Sequence, residues 1–272
     1  KNDDGESDDG EADEGGEAGA DAGGADLDEV GEVGLVLLEY FELIFQMFTW
    51  YAAGSSSNPL QMSSNCFMLF ADECGLPDPR SQLCTKAHIS QLFLLVNAPS
   101  AADKGKPQAK GARALSREEF MECLVRLAVM RYVTTKKCKD VSQACARMFK
   151  SDIAPRAPPQ ALEDQNSFRE TYCYKEAVDE ALRRHEKSLR ALFVVYACGG
   201  KRDASTSKKE ARLLGFDEWL RLVSELEFVD NEFTLRNAVI CFVFSRLKVA
   251  DETAKASVAK VDNLSFEDFL EA

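Results

Sequence analysis

Histidine is nearly absent: His88 and His185 are the only two in 272 residues, which leaves little for acid–base work near neutral pH. His185 stands on a charged helix face beside Arg183, Arg184, Glu186 and Lys187, and His88 opens an amphipathic helix, so both read as surface or boundary residues. There is no Gly-rich phosphate loop, no G-x-S-x-G and no cluster of His, Cys and carboxylate. The chain therefore reads as non-enzymatic. No C-x-x-C occurs among the nine cysteines, an odd count whose members sit mostly among apolar neighbours; they read as reduced core thiols of a cytoplasmic protein, without a zinc site. Long apolar runs are missing too. The longest, residues 35–53, is interrupted by Glu39, Glu42 and Gln46, so no membrane span is expected. No segment alternates apolar and polar residues between tight turns, so the expected fold class is all-α.

Acidic residues are present in excess, but the excess is local. Residues 1–32 carry fourteen acidic side chains against Lys1 alone, which accounts for the whole net charge of −13. The stretch is otherwise Gly, Ala and Ser, and cannot bury enough apolar surface to offset the entropy of ordering. Residues 1–33 are thus expected to form a disordered acidic tail, either a solvating extension or an arm for a basic partner. The rest of the chain is electrically balanced, which argues against nucleic acid as a partner. Lys136, Lys137 and Lys139, near Arg131, form one small basic patch that could meet an acidic protein surface.

Helical periodicity begins at Gly34 and runs to Ala53, with Leu37, Leu38, Phe41, Ile44, Phe45 and Phe48 in one stripe. A second helix is expected over residues 61–74, stopped by Gly75, Pro77 and Pro79, and a third over 86–96 with Thr85 as its cap. Ser116 and Glu119 have the spacing of a capping box for a fourth. Residues 133–174 read as a connector with a short helix at 141–149 and a proline-broken middle. Helices are then expected at 175–197, 215–229 and 231–247, with another starting at Ser265.

The second half restates the first. Phe48-Thr-Trp-Tyr51-Ala-Ala-Gly54 answers to Phe193-Val-Val-Tyr196-Ala-Cys-Gly199; Phe67 answers to Trp219 and Glu73 to Glu225. The sharpest match sets Leu115-Ser-Arg-Glu-Glu-Phe-Met-Glu122 beside Leu264-Ser-Phe-Glu-Asp-Phe-Leu-Glu271. The first copy continues into Cys123-Leu-Val-Arg-Leu-Ala128, whereas the second reaches Ala272 and stops. The chain is accordingly expected to be a piece of a longer protein, with apolar residues to follow at the positions of Leu124, Leu127 and Ala128; its opening at Lys1, without an initiator methionine, agrees.

The phrase Leu-Ser-x-Glu-(Glu/Asp)-Phe resembles the back end of an EF-hand, with a hydrophobic residue at loop position 8, an acid at position 12 and Phe opening the exiting helix. Leu115, Glu119 and Phe120 fit, as do Leu264, Asp268 and Phe269, and Leu214, Glu218 and Trp219; the first loop is poorest, with Met62 at position 8 and Cys66 at position 12. The resemblance implies two tandem EF-hand-like helix–loop–helix pairs with long loop insertions, at 34–132 and 175–272, the latter cut short in its last helix. The long insertions and the Phe168-Arg-x-x-Tyr172 lead-in are similar to EF-hand-like proteins of protist cilia and flagella.

Such a family implies calcium, but the ligands are missing. A working loop needs oxygen ligands at positions 1, 3 and 5, Gly at 6 and a bidentate acid at 12. The pattern Asp-x-Asp-x-Asp-Gly occurs nowhere. Loops 97–114 and 198–213 each carry a net charge of +3, which repels a divalent cation. The fourth loop is the least hostile, with Asp251, Glu252 and Asp262 beside it and Asp268 at position 12; these are the weak metal candidates. No cofactor is expected. The leading expectation is a structural interaction module that grips an amphipathic helix or a cytoskeletal or axonemal surface, with Trp50, Phe67, Met68 and Trp219 as groove or core lining. Alternatives are a calcium sensor with one weak site, and an accessory domain of a larger enzyme.

Overall fold

A computed structural model describes residues 28–54, 58–98, 114–197, 213–246 and 262–272. The acidic tail up to residue 27, and most of the three long loops, lie outside the described residues. The described chain is mostly helical, with four strands of two residues each.

In the first half, α1 (Glu29–Glu39) meets α2 (Phe41–Ala52) at a bend of 66°. β1 (Met62–Ser63) leads into α3 (Ser64–Glu73); α4 (Lys86–Val96) follows; β2 (Ala114–Leu115) leads into α5 (Arg117–Ala128). The strands pair antiparallel with Met62 opposite Leu115. After a wide helical turn at Val129–Val133 come α6 (Val141–Met148), a second such turn at Phe149–Ile153, and the short α7 (Gln165–Phe168). The second half repeats the order. α8 (Glu176–Ala197) is continuous; β3 (Leu214–Gly215) leads into α9 (Phe216–Glu225); α10 (Leu235–Ser245) precedes β4 (Asn263–Leu264) and α11 (Phe266–Glu271). Leu214 lies opposite Leu264.

The two halves are also alike in their side chains. Phe48 packs on Phe120 with ring centres 5.6 Å apart, and Phe193 on Phe269 at 5.5 Å. The Ser116 amide donates to Glu119 at 2.7 Å, closing the box expected from sequence, and the Ser265 amide to Asp268 at 2.9 Å, closing a second box where only a helix start was expected. A cap of this kind stabilises its helix by about 1 kcal/mol. Phe67, Phe70, Phe93 and Phe120 form the centre of the first core; truncating such a ring to Ala costs about 3–5 kcal/mol. The second core, around Trp219, Leu222 and Phe242, is smaller.

Four expectations are corrected. The first helix begins at Glu29, capped by the Asp28 side chain at 2.9 Å from the Gly31 amide, so residues 29–33 are helical and not part of a tail. It is also not one helix. The break at Tyr40 sends α1 across α6, with Tyr40 stacked on Phe149 at 5.1 Å; the single apolar stripe is split, leaving Leu38 70% and Phe41 53% exposed. The connector is not a free linker, since Ala144, Cys145, Met148, Phe149 and Ile153 belong to the first core. The four short strands have no signature in the sequence because two residues cannot display a period of two.

The halves touch each other. Arg236 of α10 lies over the Trp50 ring at 4.8 Å, a contact of about 0.5–2 kcal/mol depending on its desolvation. Arg169, in the wide turn after α7, donates to Glu271 of α11 and to the Phe244 carbonyl at the end of α10.

Candidate functional site

The residues nominated from sequence do not gather in one place. Phe67 is fully buried at the middle of the first core. Trp219 is buried in the second, and its indole N–H donates to the Ala238 carbonyl at 2.8 Å. Both are core residues, out of reach of a partner. Met68 packs partly buried against the first core, and Trp50 is covered on one face by Arg236. An indole stripe at helical spacing looks the same in a sequence whether it lines a groove or fills a core, and only the packing separates the two.

Lys136, Lys137 and Lys139 are exposed, after the wide turn that follows α5. Lys136 takes a left-handed backbone at φ 57°, which reverses the chain there. The Lys137 ammonium lies 3.5 Å from Asp78. These two and Arg80, Ser81, Arg131 and Thr135 line an open cleft of about 620 Å³. Neighbouring carboxylates and carbonyls already occupy much of its positive charge.

Behind that cleft is a cluster the sequence reading missed. Arg131 donates through Nε and Nη2 to both oxygens of Asp152 at 3.2 Å, and through Nη1 to the Leu76 carbonyl at 2.6 Å. The Tyr132 hydroxyl also donates to Asp152. Arg131 and Asp152 side chains are only 16% and 8% exposed. Burial, then the bond to Asp152, pushes the Tyr132 phenol up from its ordinary value. Arg156 completes the arrangement, donating to the Asp152 carbonyl at 2.9 Å. The cluster fastens the turn after α6 to the ends of α3 and α5, a positioning role. Its signal was faint because Arg131 and Asp152 are twenty-one residues apart, with nothing between them to announce the pairing.

The loop acids are turned toward their own helices. Glu119 and Asp268 accept the backbone N–H of Ser116 and Ser265. A Glu218 oxygen lies over Gly215, the residue before α9, so close that a Cβ there would be 2.2 Å away. Asp262 is exposed; Asp251 and Glu252 lie outside the described residues. Among the described residues no three His, Cys, Asp or Glu side chains come together as a metal site. The eight described cysteines are free thiols; burial pushes Cys74 and Cys123 up to about 12 and Cys145 to about 11, far from a reactive thiolate. No single helix among the described residues is long and apolar enough to cross a membrane.

Comparison with protein-family models, curated proteins and solved structures finds no match.

Proposed function

We propose that this chain is a non-catalytic protein-interaction module made of two EF-hand-like helix–loop–helix pairs whose loops do not use calcium. The observation that carries the reading is the strand pairing. Met62 lies opposite Leu115 and Leu214 opposite Leu264; these are the four residues that the resemblance puts at loop position 8, paired two by two within each half. The coupling of loops in pairs is what makes such helices act as one unit. Further support comes from the capping role of Glu119 and Asp268, whose carboxylates are held by backbone N–H groups, and from the +3 charge of the second and third loops. With sensing set aside, the work left for a rigid helical pair is to hold a partner, an amphipathic helix or a cytoskeletal surface. The cysteines support a cytoplasmic setting, and a ciliary or flagellar one rests on the resemblance alone.

Isothermal calorimetry with Ca²⁺ tests the reading. No isotherm is expected at micromolar calcium. A saturable micromolar heat would favour instead a sensor with one surviving site, the reading that the three position-12 acids Glu119, Glu218 and Asp268 keep in view.

A further inference from the structure

The fold brings the acidic run of residues 1–27 and the basic patch after α5 to one place. Two contacts fix how α1 lies on α6. Near the helix starts the Ser142 hydroxyl donates to Glu32 at 3.2 Å, and near their ends Tyr40 stacks on Phe149 at 5.1 Å. The two helices therefore run side by side in the same direction, with both N-termini at one end of the pair. Residues 1–27 join α1 at that end, through the Asp28 cap, and Lys136, Lys137 and Lys139 lead into α6 at the same end, through the Asp140 cap. Asp28 is one turn before Glu32 and Lys139 is three residues before Ser142, so the root of the acidic run and the patch lie within roughly 20 Å of each other.

The charges of the two are complementary. Residues 131–150 carry Arg131, Lys136, Lys137, Lys139, Arg147 and Lys150 against Asp140 alone, and Asp140 is held as a cap by the Gln143 amide and the Ser142 hydroxyl. Asp152 takes up Arg131 and Asp78 takes up Lys137. Lys136 and Lys139 are exposed and make no ion pair among the described residues. Residues 1–27 hold eleven carboxylates against Lys1. Ten residues of chain span up to about 33 Å, so Asp21 and the acids before it come within reach of the patch with no change in the folded part. We propose that residues 1–27 fold back onto this patch in cis, their carboxylates meeting Lys136 and Lys139, and so screen it from acidic surfaces of other proteins. Tethered in this way, the acids face the patch at an effective concentration of about millimolar, which a separate acidic segment must outcompete. Each exposed pair contributes less than about 1 kcal/mol, so the contact is multivalent, loose and sensitive to salt. It stands on helix direction and charge, and does not depend on how the four loops are read.

Zero-length carbodiimide cross-linking of the full chain, read by mass spectrometry, tests this. At about 20 mM NaCl, amide links are expected between Lys136 or Lys139 and carboxylates of residues 1–27, several-fold more abundant than links to the exposed Lys187 of α8. They are expected to vanish near 1 M NaCl, where charges are screened beyond about 3 Å. In a mixture of isotope-labelled and unlabelled chains the links are expected to stay within one chain. A full-length variant with the eleven acids of residues 1–27 replaced by Asn or Gln removes the screen. A labelled oligoglutamate peptide, followed by fluorescence anisotropy, is expected to bind that variant at least about threefold more tightly than the unaltered chain. Adding Lys136→Glu and Lys139→Glu is expected to cancel the gain; both positions are exposed, and a matching thermal melt shows that the variants fold. Links spread evenly over Lys136, Lys139 and Lys187 would overturn the proposal. So would links formed only between chains, or equal peptide affinity with and without the acids of residues 1–27.

Discussion

The Tyr51 hydroxyl donates to the Glu73 carboxylate at 2.5 Å, tying the end of α2 to the end of α3. Tyr196 makes the same bond to Glu225, also at 2.5 Å, between α8 and α9. The residues are those that the repeat aligned from sequence, so the duplication extends to individual polar contacts. Burial, then the bond to Glu73, drives the Tyr51 phenol well above its ordinary value; for Tyr196 the bond to Glu225 is the leading cause of a rise.

Those shifts give a pH dependence with a definite sign. A phenol whose folded pKa is raised contributes stability that is whole below the unfolded value, about 10, and is lost as pH climbs through the folded one. Chemical denaturation followed from pH 8 to pH 11.5 is expected to show stability falling above about pH 10, and Tyr51→Phe is expected to flatten part of that fall. At neutral pH Tyr51→Phe should cost about 1–2 kcal/mol. A variant with unchanged alkaline stability would show that the bond has no energetic role.

Glu227 has a left-handed backbone at φ 56°, where its counterpart Gly75 stands at 63°. A side chain in that region costs about 1–2 kcal/mol, part of which glycine gives back through the freer unfolded chain. Glu227→Gly is therefore expected to stabilise the protein by about 0.5–1 kcal/mol, and Gly75→Ala to destabilise it by a similar amount. Thermal melts of the two variants that moved in the same direction would contradict this account.

Asp152 is the acceptor on which Arg131 and Tyr132 converge, with Arg156 beside it. Removing it leaves the Arg131 guanidinium largely buried without its carboxylate, and such losses cost about 3–5 kcal/mol. Asp152→Ala should lower the denaturation midpoint accordingly and loosen residues 141–156 from the first core, which hydrogen exchange at Ala144 and Cys145 would report. If the amides there keep their protection, the cluster is not what fastens the segment.

The helices capped by their own side chains were the most legible. Thr85 starts α4 at the expected residue, and Ser116 with Glu119 starts α5 where the box predicted, because a cap is a local interaction encoded within four residues. Pairings at long range were the least legible. The break at Tyr40 depends on Phe149, more than a hundred residues away, and periodicity on either side continues as though the helix did. In residues 133–174 the short helix near 141–149 was legible but its burial was not, for the same reason: Met148 and Phe149 had no neighbour in sequence to mark them as core. For the candidate site, the aromatic residues were identified as important but their direction was not.

The unbroken α8 has a mechanical side. Twenty-two residues at 1.5 Å each make a rod of about 33 Å, and only its last turns bury a side chain, at Phe193 and Tyr196. A continuous hydrogen-bonded helix resists bending, whereas α1 and α2 meet at a joint. The first unit is therefore entered through an elbow and the second along a lever anchored at one end, so a pull on residues 176–190 would reach the second core undiminished.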